Sequence, residues 1–127
     1  MANETTHTST IELTDGLGEV RIADEVLAII AGLATSEVQG VASMAGNVTR
    51  DLIEKLGVRS LSKGVKLSVK DQEVSVTINV NLRYGYNVPE TSAQIQEKVK
   101  TALETMTGLK VTEVNVRIMN IAMDQES

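Results

Sequence analysis

The 127 residues of the chain predict an α+β fold: a two-layer sandwich in which a mixed, mostly antiparallel sheet carries about three helices on one face. Three observations predict it. Val74, Val76, Ile78, Val80 and Leu82 alternate with Ser75, Thr77, Asn79, Asn81 and Arg83, so a central strand has one apolar face and one short polar face. Ile95, Val99, Ala102 and Met106 then recur at helical spacing, and Val114, Val116 and Ile118 return to a period of two. Strand, helix and strand in succession make a crossover unit, and helices laid on the apolar face complete two layers.

Taken in order, residues 1–16 are polar, Thr-rich and without periodicity, which predicts a flexible tail. One domain is expected over 17–121 and a short tail over 122–127. Glu19 to Ile22 is a short strand or extended lead-in. Ala23 to Val38 is a helix on the spacing of Val26, Ile29, Ile30 and Leu33, with Asp24 and Glu25 where the helix dipole favours acids. Gly32 in its middle costs about 1 kcal/mol relative to Ala, which predicts close packing against another element.

Gly40 to Met44 is extended. Asn47 caps a second, shorter helix in which Val48, Leu52 and Leu56 share a face, and Gly57 stops it. Arg59 to Gly64 is a basic connector. Val65, Leu67 and Val69 form a strand, and the turn Lys70 to Glu73 pairs it antiparallel with the central one. Pro89 suits the first turn of the third helix, and Gly108 ends it. Lys110 to Ile121 is the last strand.

Composition narrows the chemistry. There is no cysteine, so disulfides and thiolate catalysis are excluded. The single histidine, His7, lies in the expected tail, and the usual nitrogen and sulfur ligands of zinc cannot be assembled. Phe and Trp are absent and Tyr84 and Tyr86 are the only aromatics, which leaves almost no platform for stacking bases. No apolar run approaches the roughly 20 residues of a membrane-spanning helix. The first ten residues lack a basic and an apolar signal region, so a cytoplasmic location is expected.

The net charge is −5, which speaks against a nucleic-acid protein, yet the charge is uneven. Residues 1–37 hold seven acids and one base; residues 50–70 hold six bases and two acids. The basic stretch reads either as a solvated face or as a patch for an acidic partner or membrane surface.

Three passages together resemble one family. They are Gly18 to Val26 (GEVRIADEV), Ser62 to Lys66 (SKGVK), and Asn87 to Glu90 (NVPE) running through Gln96 to Val99 (QEKV) to Thr107 through Val116 (TGLKVTEVNV). The chain is similar to the alkaline-shock, or envelope stress response, proteins of Gram-positive bacteria, also called the Gls-type general stress family. The likeness covers about residues 17–121. It implies a small cytoplasmic α+β protein of stress and envelope physiology with no established enzymatic activity; no cofactor and no small-molecule substrate are expected. It also implies a homo-oligomer, with some members held near the membrane by an integral membrane partner. No agreed catalytic or binding residue comes with it.

The candidate interaction residues therefore come from this chain alone. Arg59, Lys63 and Lys66 belong to the basic stretch. Asn79, Asn81, Asn115 and Arg117 lie on the polar sheet face, where short uncharged residues suit a second surface and Arg is common in interfaces. Tyr84 and Tyr86 flank Gly85 at a strand end, as an anchor for a partner or as one ring against the core and one on the surface. Acid pairs such as Asp24 with Glu25, or Asp71 with Glu73, are explained by capping and turns. Catalytic, cofactor-binding and metal-binding residues are expected to be none. Beside the self-associating stress protein stands an RNA-binding module using residues 50–70, although no two glycines stand three apart to make the backbone-clamping loop of the K-homology modules.

Overall fold

The computed structural model describes residues 8–12, 17–44 and 57–123. The elements are β1 (Thr8–Glu12), β2 (Glu19–Ala23), α1 (Asp24–Ser36), β3 (Val41–Met44), a 3-10 helix (Val58–Gly64), β4 (Val65–Lys70), β5 (Glu73–Arg83), α2 (Val88–Thr107) and β6 (Lys110–Ala122). The class is α+β, as expected. The described residues hold two α-helices and the 3-10 helix rather than about three helices. The helix expected from Asn47 lies outside the described residues.

β5 is the centre. Val74, Val76, Ile78, Val80 and Leu82 are all fully buried. Both of its edges are paired. β4 runs antiparallel along Glu73 to Ile78, and β3 runs antiparallel along Val80 to Leu82. β6 runs parallel along the whole strand, from Glu73 with Lys110 to Arg83 with Ala122. A strand has two edges, so β4 and β3 lie end to end on one of them and β6 takes the other. The sheet is mixed because α2 carries the chain across to a parallel partner.

The turn between β4 and β5 needs two left-handed residues, and Asp71 (φ 54°) and Gln72 (φ 68°) supply them, the geometry whose twist suits a two-residue hairpin. α2 starts where Asn87 Oδ1 accepts a hydrogen bond from the Glu90 amide at 2.8 Å, with Pro89 in the first turn. It ends on Gly108 in the left-handed conformation, as expected.

Two readings are corrected. Within the tail expected over residues 1–16, Thr8–Glu12 forms a strand antiparallel to β2. Thr and Ile there are β-branched and suit a pleated pair better than their polarity suggests. The second correction is larger. The buried face of α1 is Leu27, Ala28, Ala31, Gly32, Ala34 and Thr35, whereas Val26 and Leu33 of the expected stripe are 45% and 40% exposed. α2 likewise buries Thr91, Ile95, Val99, Leu103 and Thr107 and leaves Met106 exposed. Small residues face inward because α1 packs close. A Cβ on Gly32 would stand 2.7 Å from the Leu61 carbonyl oxygen, the close approach that a helical glycine predicts.

No helix among the described residues is long and apolar enough to cross a membrane.

Candidate functional site

The side chains opposite the core make an open polar face. Register places Lys66, Ser68 and Lys70 of β4 beside Thr77, Ser75 and Glu73 of β5, and these in turn beside Asn115, Glu113 and Lys110 of β6. Asn79 lies beside Arg117, and Asn81 between Ser43 and Asn120. The outer strands expose Lys66, Ser68, Lys70, Glu113, Asn115, Arg117 and Asn120, so no other described element covers them. Ser75, Thr77, Asn79 and Asn81 are half-buried because strands flank them on both sides.

Of the expected asparagines on β5, one is engaged within the fold and one is not. Asn81 Nδ2 donates to Ser43 Oγ at 2.9 Å and ties β3 to β5. Asn79 is different: its Oδ1 is occluded from solvent and has no hydrogen-bond partner among the described residues. An unpaired buried carbonyl costs stability, and Arg117 is the residue beside it in register. Ser75 Oγ donates to Glu113 Oε1 at 3.3 Å, a weak tie across the face.

Lys63 in the 3-10 helix and Lys66 on β4 are both exposed. Arg59 belongs to the same 3-10 helix, and its side chain lies outside the described ones. Lys66, Lys70, Lys110 and Arg117 give the sheet face four cations, against the carboxylates of Glu73 and Glu113. The basic stretch thus reaches the polar face through β4, a juxtaposition that linear sequence does not display.

Both tyrosines are exposed, Tyr84 at 68% and Tyr86 at 44%, so neither ring is buried in the core. Tyr86 lies on Gly40, where a Cβ would come 2.8 Å from the ring, and Thr91 closes the other side. Gly40 has φ +98°, and its carbonyl accepts from the Arg83 amide at 2.7 Å. Tyr84 lies at the surface.

Reading the helices as purely inward misses a second surface. The outward residues of α1 and α2 border an open groove of about 1200 Å³ lined by Ile29, Ile30, Leu33, Ala102 and Met106. Lys98 and Glu37, 3.6 Å apart, form an ion pair across its rim. The available signal is the second apolar stripe of α1: Leu27, Ala31, Ala34 and Val38 also recur at helical spacing. Two stripes on one helix imply one buried face and one face left over.

Among the described residues, no three potential metal-ligating side chains gather at one place.

Comparison with known proteins bears on this arrangement. Residues 12–123 match the model of the ASP23 family, described as having a cell envelope-related function. YqhY of Bacillus subtilis (strain 168), an uncharacterized protein, is 37% identical over 111 residues, covering 87% of this chain and 82% of its own. Spy1535 of Streptococcus pyogenes, also uncharacterized, is 36% identical over 113 residues, covering 88% of this chain and 85% of its own. The stress response regulator gls24 homolog of Streptococcus pyogenes is 30% identical over 117 residues, which are 91% of this chain and 65% of that protein.

Proposed function

The chain belongs to the ASP23 family, whose function is related to the cell envelope, and from this premise we propose that it is a non-enzymatic stress protein acting by self-association and by contacts with other proteins. It works in the cytoplasm, near the inner face of the membrane, where an integral membrane protein holds it. The observation that carries this reading is the open sheet face. One face of β5 is the core, while the other combines short amides and hydroxyls with Lys66, Lys70 and Arg117. Such a face is open, hydrogen-bonding and charged, and arginine is enriched in protein interfaces. A lipid surface is a poorer partner, because a few cations partly offset by Glu73 and Glu113 give only modest affinity.

The test is sedimentation of the full chain and of a Lys63→Glu, Lys66→Glu variant at low and high salt, with anionic vesicles and a single-stranded oligonucleotide as separate probes. Association of the wild type that the variant weakens, without binding to vesicles, supports the reading. Binding to the oligonucleotide at physiological salt, lost in the variant, would replace it with an RNA-binding one, since phosphate neutralisation is steeply salt-dependent.

A further inference from the structure

β6 is an edge strand of 13 residues. Its inner edge pairs with β5 throughout, and no strand among the described residues pairs with its outer edge. Long regular edges are sites where strands add, and proteins usually blunt them with lysine, proline or bulges. Here the register of β6 against β5 skips Thr112 and Met119, so bulges stand at those two positions and frame an unbroken run from Glu113 to Ile118. That run contains no proline and no lysine.

The direction of its backbone groups follows from two hydrogen bonds. Gln96 of α2 donates to the Val114 carbonyl at 3.0 Å, and the Val111 amide donates to Glu104 Oε2 at 3.0 Å. Both partners are side chains of α2 and not of β5, so Val114 turns its backbone to the outer edge. By alternation Val116 does the same, while Asn115 and Arg117 turn theirs to β5. The side chains of Val114 and Val116 lie on the core side and are only half-buried, unlike the fully buried valines of β5.

On the opposite face Glu113 and Arg117 stand two residues either side of Asn115. This spacing is self-complementary. We propose that a second copy of the chain adds antiparallel to β6 about a two-fold axis at Asn115, joining two sheets into one. In that register Glu113 of each copy faces Arg117 of the other, and Val114 faces Val116 as a hydrogen-bonded pair once the Gln96 side chain yields the Val114 carbonyl it holds in the single chain. Asn115 faces itself in a non-hydrogen-bonded pair. A shift of one residue along each strand, with Val116 on the axis, sets Arg117 against Asn115 and Glu113 against Met119 and forms no charge pair. The opposite charges therefore select the register. The contact is isologous, and it closes at two copies.

This interface rests on the self-association proposed above and names one surface for it. The test is a charge swap on exposed residues. At low salt the wild type sediments as a concentration-dependent dimer. Glu113→Lys alone and Arg117→Glu alone each set like charges opposite one another twice, and each weakens the dimer roughly tenfold. The double variant Glu113→Lys, Arg117→Glu restores the pairing and the wild-type affinity. Because the chain has no cysteine, Asn115→Cys gives a second readout. Non-hydrogen-bonded partners stand about 4.5 Å apart at Cα, within disulfide range, so mild oxidation yields a covalent dimer while Ser68→Cys yields none. A wild type that associates, with both single variants unaffected or with no cross-link from the Asn115→Cys variant, overturns this interface and leaves self-association standing. A wild type that stays monomeric overturns both.

Discussion

Gly32 of α1 lies against Leu61 of the 3-10 helix so closely that a methyl group on it would stand 2.7 Å from the Leu61 carbonyl oxygen and 2.9 Å from its Cβ. The obstacle is backbone, which cannot rotate aside as a side chain can. Gly32→Ala gains about 1 kcal/mol of helix propensity, but overpacking of this kind costs about 1–3 kcal/mol. The clash decides the sign. Thermal unfolding of the variant is expected a few degrees below wild type, and a melting temperature above wild type would show that the 3-10 helix yields.

Ile78 and Ser68 report the register of the sheet. Ile78 is fully buried in β5, and Ile78→Asp places a carboxylate in the core at a cost of several kcal/mol, enough to unfold the domain. Ser68 is exposed on β4 between Lys66 and Lys70, and Ser68→Asp is expected within about 0.5 kcal/mol of wild type. Equal melting of the two variants would place the strands one residue out of register.

The two apolar stripes of the helices are separable in the same way. Leu27 and Leu103 are fully buried, while Leu33 and Met106 are 40% and 67% exposed. Leu27→Ala or Leu103→Ala should each cost about 2–5 kcal/mol. The pair Leu33→Ser, Met106→Ser should cost about 1 kcal/mol or less, measured by denaturant unfolding. A large loss from the second pair would mean that the groove between α1 and α2 is part of the core.

At the start of α2, Asn87→Ala removes the acceptor of the Glu90 amide. The expected loss is about 1 kcal/mol with an unchanged denaturant slope. No loss would mean that water replaces the cap at no cost.

β5, α2 and β6 are legible in the sequence because β-branched alternation and a four-residue apolar recurrence are strong signals with little competition. The hairpin at Asp71 and Gln72 is legible because a short polar break separates two alternating runs, and the stop at Gly108 because few residues but glycine accept positive φ. The inward face of α1 is not, because close packing selects Ala28, Ala31, Gly32 and Thr35, which hydropathy ranks below Val26 and Leu33. β1 escapes the pattern because threonine reads as polar while its β-branched carbon favours a strand. In the candidate site, the polar face is legible from Asn79, Asn81, Asn115 and Arg117. That Asn81 is held by Ser43, and that Glu113 and Arg117 stand on an unpaired edge, depends on register between strands more than 30 residues apart. No local pattern carries that.

The central claim is that the protein acts by assembly, and sedimentation equilibrium of the wild-type chain tests it most directly. Across a hundredfold range of concentration at low salt, the apparent mass should rise from the 13.6 kDa of one chain to at least twice that value. It should fall back as salt screens the charged contacts. A single species of monomer mass at every concentration and salt would contradict the account.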